Sequence, residues 1–354
     1  MRRTSKEGEG TEEDEPGCRT KKQQSYWHTG KLAYLLHSFI INIVMNNTKY
    51  LREVLDTHSM SKIEGIVAKH RNRRDEISQA ISEKFGERSY KPFQSGSFAK
   101  HTATNIKFDM DIVVPFKKTA FGTLQEMFDS VYDFLAEEYR GTGATIRKQK
   151  VSIGICFPLE KGEDKPIEVD VVPGRELKIA DYLETRDLNL CFNEDHWGFK
   201  KGSCQKTNIQ KQIEHIKGKE NEREVIRLLK IWKNQNNKNY KSFVIELAVI
   251  RALDGYDGST DLWQRLRFVL GYLSEHVAES SFHLYDPGNS GNDVIGTMDF
   301  YERNSLKSDM ENMLRNIEAN SDVYLPYYFK VNEKYSGYQE KEGRMYPTSP
   351  QRFG

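Results

Sequence analysis

Apolar residues recur at helical spacing over the first part of the chain. Leu32, Leu35, Leu36, Phe39 and Val44 form one stripe, and Ile63, Ile66, Val67, Ile77, Ile81 and Phe85 a second. Residues 30–85 are therefore predicted helical, with Gly86 as the stop signal. The period then changes to two. Phe108, Met110, Ile112 and Val114 alternate with Asp109, Asp111 and Val113, which predicts a strand. Helical spacing returns over 124–139, where Met127, Phe128, Val131 and Leu135 share a face. Val151, Ile153, Ile155 and Phe157 alternate with small residues as a second strand. Residues 167–172 read as a third, and the nine-residue turn 158–166 between these two predicts a long hairpin.

Beyond Asp181 the strand signals largely cease. Val225, Leu228, Leu229 and Trp232 mark a helix over 222–235. A nearly continuous apolar run, 242–253, predicts a buried helix, and 262–277 and 306–317 predict two more. The order predicts an α+β protein: a mixed β-sheet lobe with flanking helices, followed by a C-terminal helical lobe. Four segments result: a disordered leader (1–27), N-terminal helices with the sheet core (28–181), a helical lobe (182–329) and a mobile tail (330–354).

Composition narrows the class. With 37% hydrophobic and 30% charged residues and a net charge of +1, the chain is not one that coats nucleic acid nonspecifically. Residues 200–241 hold twelve Lys/Arg against four Asp/Glu, a patch that reads equally as a phosphate-facing surface or a solvated helical face. Cys18, Cys156, Cys191 and Cys204 are widely spaced without a CxxC pair, which argues against a zinc site or a disulfide framework. The longest apolar stretch, 32–45, is interrupted by polar residues and too short to span a bilayer. A cytoplasmic protein without a membrane partner is the expectation.

The candidate chemistry lies in three acids. Asp109 and Asp111, at i and i+2 of a strand, share a face, so two carboxylates converge. An isolated D-x-D on a strand usually faces water. Three features favour another role here. Ser95-Gly96-Ser97-Phe98 precedes the pair, offering a backbone that can approach a triphosphate and a hydroxyl donor. Asp170 stands alone between Val169 and Val171 on the paired strand. The flanks of all three acids are apolar. Two divalent cations, about 3.5–4 Å apart, are what such carboxylates hold in phosphoryl-transfer chemistry, and hard oxygen ligands suit Mg²⁺ or Mn²⁺.

Gly96-Ser97, Asp109-Met-Asp111 and the distal Asp170 resemble the signature of the polymerase-β-like nucleotidyltransferase superfamily. The segments 93–98, 102–112, 167–173, 225–233, 242–243 and 284–288 are similar to those of the cyclic GMP–AMP synthase/DncV-like branch, the bacterial CD-NTases. The resemblance covers residues 91–287. It implies a bilobed enzyme that joins nucleoside triphosphates into a cyclic oligonucleotide second messenger and releases pyrophosphate, in bacterial anti-phage signalling. The catalysis by itself is equally that of a linear oligonucleotide synthase or of transfer to an RNA end or a protein.

The resemblance further implies that Lys230 and Ser242 hold the donor triphosphate and that Phe243 stacks on a base. Each has a plainer reading: Lys230 as a solvated lysine, Ser242 as a helix N-cap, Phe243 as a core residue. His101, beside the Gly-Ser loop, is a weaker phosphate or ribose candidate. No cysteines carry the spacing of the zinc insertion with which animal cyclic GMP–AMP synthase binds DNA, so activation by nucleic acid is not implied. A regulatory protein, or an effector that reads the product, is the implied partner.

Overall fold

The computed structural model describes residues 46–160, 165–193 and 203–336. The predicted leader, the stripe from Leu32 to Val44 and residues 337–354 of the predicted tail lie outside the described residues.

Asn46 caps the first helix, α1 (Asn47–Thr57), its side chain accepting from the Lys49 N–H. Ser59 opens a short 3-10 turn, and α2 (Glu64–Phe85) follows, so the predicted helical stretch breaks once. Gly86 ends α2 at φ +52, a conformation that favours glycine. Val67, Ile77, Ile81 and Phe85 are the buried face of α2, as the stripe predicts.

Next come β1 (Phe93–Ser95), the single-turn α3 (Gly96–Ala99), β2 (Met110–Phe116) and α4 (Leu124–Glu138). Strand β2 starts two residues later than predicted, leaving Phe108 and Asp109 just outside it. After α4 come β3 (Thr145–Lys148), β4 (Ile153–Cys156) and β5 (Glu168–Glu176). The predicted hairpin is present: β4 and β5 pair antiparallel, Ile153 opposite Val171 and Cys156 opposite Glu168.

The sheet runs β1-β2-β5-β4-β3, and β2 and β5 are parallel while the other pairs on this path are antiparallel. After α5 (Tyr182–Thr185), two further strands extend it, β6 (Leu188–Cys191) on the far half of β5 and β7 (Cys204–Thr207) on β6. Strand signals therefore continue past Asp181, contrary to the sequence pattern. Of the unanticipated strands, β3 and β7 are sheet edges with largely solvent-facing side chains, so no apolar alternation marks them, and β1 and β6 are too short to show a period. Pro173 falls on β5 after its last β4 partner, Val171, and before its first β6 partner, Gly174, where a missing N–H disturbs the ladders least.

The two sheet faces have different tasks. Met110, Ile112, Val114, Val169, Val171 and Ile153 point towards α2 and α4 and form the main core. On the other face, a smaller cluster of Val113, Tyr182 and Leu188 covers only the far end. The alternation therefore places Asp111 and Asp170 on the face that the core leaves open.

The remaining helices are α6 (Ile209–His215), α7 (Glu220–Gln235), α8 (Ser242–Leu253), α9 (Leu262–His276), α10 (Phe300–Ala319) and α11 (Ser321–Tyr328). Helix α8 is buried on nearly all sides, as its apolar run predicts. It packs between α7 and α9, and α1 joins this helical layer through α7 and α9. The whole is an α+β architecture with a mixed sheet. Among the described residues no helix is long and apolar enough to cross a membrane.

Candidate active site

One register line across the sheet assembles the site. Ser95 of β1 lies opposite Asp111 of β2, Asp111 beside Asp170 of β5, Asp170 opposite Gly154 of β4, and Gly154 opposite Arg147 of β3. Residues level with one another on adjacent strands project to the same face, so the Asp111 and Asp170 carboxylates stand side by side. Asp109 precedes β2 by one residue. It stands just outside the strand the sequence predicted for it, and its charge acts on both.

Gly96 abuts this row. It sits at φ +64, and a Cβ there would come within 1.7 Å of Asp111 Oδ2 and 2.5 Å of its Cγ. Both the conformation and the space therefore require glycine. On the other side of the row, Gly154 leaves room for Gln149, whose Nε2 donates to Asp170 Oδ1 at 3.1 Å. A Cβ on Gly154 would lie 2.4 Å from that nitrogen. Two glycines thus flank two carboxylates, one admitting backbone and the other admitting a hydrogen-bond donor.

Crowded anions in a half-buried setting hold their protons more tightly. Burial first, then Asp109 and Asp170, push Asp111 up to about 7, against the opposing pull of Lys100 and Lys230. Once protonated, Asp111 ceases to repel Asp170. Burial and then Asp109 push Asp170 up to about 6, with the Gln149 hydrogen bond acting in the opposite sense. Among the described residues no three His, Cys, Asp or Glu side chains are already gathered as a metal-ligating group. The three acids are neighbours and not a closed cage. Their donor chemistry nonetheless fits hard divalent cations: carboxylate oxygens, mutually repelling, with no ion pair to any of the three among the described residues.

The helical layer reaches the Gly-Ser loop through lysines. Lys230 of α7 is buried, not solvated, and its Nζ donates to the Thr102 carbonyl at 2.8 Å. The Thr102 N–H in turn donates to the Ser97 carbonyl at 2.9 Å. Burial lowers the Lys230 pKa to about 8, with Glu246 and Asp109 opposing. Ser97 is half-buried in α3. Ser242 is the first residue of α8 and not its cap; its Oγ accepts from Lys233 Nζ at 3.0 Å. Phe243 is half-buried, short of a core position. The exposed His101 adopts φ +55 and has no hydrogen bond from its ring among the described residues.

Lys100, Gln149, Gly154, Lys233 and Glu246 belong to this surround but carry no motif. Of these only Gly154 has a local signal, a glycine inside a strand of isoleucines, which marks a close approach, and the sequence reading did not single it out.

No protein-family model matches the chain. It is 28% identical over 198 residues to a CBASS oligonucleotide cyclase CdnC of Escherichia coli (strain KTE188), a match that covers 51% of this chain and 57% of that protein. The chain thus spans little more than half the length of this curated relative. Its fold is similar to that of E. coli MS115-1 CdnC solved with ATP, with a TM-score of 0.62 and 19% identity, covering 83% of this chain and 99% of the other. The CdnC:HORMA-deltaN complex gives 0.57 and 18%, over 76% and 92%. With the carboxylate row, the Gly-Ser loop and a helical layer against them, the chain shares the fold of E. coli CdnC and resembles a CBASS oligonucleotide cyclase over about half its length.

Proposed function

We propose that this chain is a nucleotidyltransferase that joins nucleoside triphosphates into a cyclic oligonucleotide, releases pyrophosphate, and acts in the cytoplasm in anti-phage signalling. The observation that carries the reading is the pair Asp111 and Asp170, side by side on parallel strands with Gly96 pressed against one of them. Asp109, Asp111 and Asp170 would hold two Mg²⁺ or Mn²⁺ ions, which when bound neutralise triphosphate charge and acidify an attacking sugar hydroxyl.

The chain's own groups do the positioning. Gly96 lets a phosphate approach the backbone, and Ser97 offers its hydroxyl. Lys230, tied to the loop through Thr102, presents its remaining ammonium protons to a triphosphate. Ser242 and Lys233 form a second polar pair at the start of α8. Phe243 offers a half-exposed ring on which a base can stack. CdnC has been solved with ATP and in a complex with HORMA-deltaN, which supports nucleoside triphosphates as substrates and a regulatory protein as partner.

The test is incubation with labelled ATP, GTP, CTP and UTP and Mg²⁺ or Mn²⁺. A phosphatase-resistant product identified by mass spectrometry, absent with Asp109→Ala plus Asp111→Ala, is the expected result. A ladder of linear oligonucleotides, or label on an RNA end or a protein, would replace cyclisation by another transfer. Unchanged activity in the double variant would remove the carboxylates from the chemistry.

A further inference from the structure

Lys100 ends α3, its backbone N–H donating to the Gly96 carbonyl at 3.2 Å. Its side chain leaves the sheet lobe and reaches α8. There Nζ donates to Glu246 Oε1 at 2.7 Å, and both side chains are only 8% exposed. The same nitrogen stands 4.5 Å from the centre of the Phe243 ring. Phe243 and Glu246 are three residues apart on one helix and therefore present to the same side. One ammonium is thus held by a carboxylate, seated over an aromatic face, and joined through four residues of chain to the glycine that touches Asp111.

We infer that Lys100 is a positioning residue, clasped by Glu246, that occupies one face of Phe243 and so fixes where a nucleobase stacks relative to the Gly96-Ser97 loop. A ring face covered by a desolvated cation is closed to a base. Only the opposite face remains, and the clasp sets its distance from the loop that receives the phosphates. A buried ion pair contributes little net stability compared with apolar residues of similar size, so a pair retained between two lobes is suited to setting geometry. Because it presupposes that this face receives a nucleotide, the role depends on the nucleotidyl-transfer reading of the carboxylate row.

Removing Lys100 alone would strand Glu246 without a partner, so the informative variant replaces the pair together. Lys100→Met with Glu246→Leu conserves net charge and packing. Its expected effect is a rise of about tenfold in KM for nucleoside triphosphate, equivalent to about 1.4 kcal/mol, with kcat within about threefold. Lys100→Arg should restore KM to near the parent value. Adding Phe243→Leu to the paired variant should raise KM no further than Phe243→Leu alone, because both changes remove the same stacking geometry. Independent, multiplying effects on KM, or a fall in kcat at unchanged KM, would overturn the role.

A second readout needs no catalysis. In a Phe243→Trp background, replacing the Lys100–Glu246 pair should shift indole emission and increase acrylamide quenching; unchanged fluorescence would overturn the clasp. If the parent protein makes no nucleotide product while the fluorescence responds, the nucleotidyl-transfer reading fails and the clasp stands as a structural contact.

Discussion

Two groups of charge, one buried and one half-buried, neighbour each other here and follow opposite rules. Lys100 and Glu246 meet at 2.7 Å, and each compensates the other for lost hydration. Asp111 and Asp170 stand level on adjacent strands with Asp109 nearby, so like charge is added to like and burial raises their proton affinity. The first arrangement satisfies itself. The second is costly as it stands and is relieved by a proton or a cation. Where a fold keeps uncompensated like charges together, the charge belongs to chemistry; where it pairs them, the charge belongs to architecture.

The largest test of that contrast is Asp111→Asn. Product formation should fall by at least about 10³-fold, roughly 4 kcal/mol of transition-state stabilisation. Stability should move the other way. The folded-state pKa of Asp111 is raised from 3.8 to about 7, so its contribution is fully present below pH 3.8 and is lost as pH rises to about 7. In metal-free buffer at pH 8 the variant should therefore be more stable than the parent, by on the order of 2–4 kcal/mol. Near pH 3.5 this gain should vanish. Urea titrations at the two pH values check this, and a variant less stable than the parent at pH 8 would refute it. Millimolar Mg²⁺ should raise the parent's Tm at pH 8 and that of Asp111→Asn much less.

Next in size, Glu246→Ala leaves the Lys100 ammonium buried and unpaired, at a cost of about 3–5 kcal/mol in urea unfolding. Replacing both partners by Met and Leu should cost about 1 kcal/mol or less. Equal losses would erase the distinction between paired and unpaired charge. Gly96→Ala sharpens the comparison from the carboxylate side. Its methyl would overlap Asp111 Oδ2, at a φ that alanine tolerates poorly. It should cost about 2 kcal/mol of stability and at least about 100-fold in activity. The smallest effect belongs to Gln149→Ala. Losing its bond to Asp170 removes an opposing influence, so the acidic limb of the pH–rate profile should move to higher pH, with about 1 kcal/mol of stability lost.

Legibility differed between elements for physical reasons. Helices α2, α4, α7, α8 and α9 and strands β2, β4 and β5 bury one face or both, and burial imposes a period on the residues. Strands β3 and β7 bury little and left no period to read. Lys230 stands off the apolar stripe of α7, which left a solvated reading open beside the triphosphate-holding one, because its partner, the Thr102 carbonyl, lies 128 residues away in sequence.

The sequence by itself determined the local terms. These are which strands alternate, where glycine is required, and that three acids stand among apolar neighbours. Local sterics and hydrophobic period act over a few residues, so they can be read from a string. The tertiary structure alone decided the row Ser95, Asp111, Asp170 and Gly154, because strand register is a long-range choice. It also decided that Asp109 stands outside β2, that Gln149 fills the space above Gly154, and that Lys100 closes on Glu246 across 146 residues. Charge compensation depends on distance in space, and no spacing along the chain encodes it.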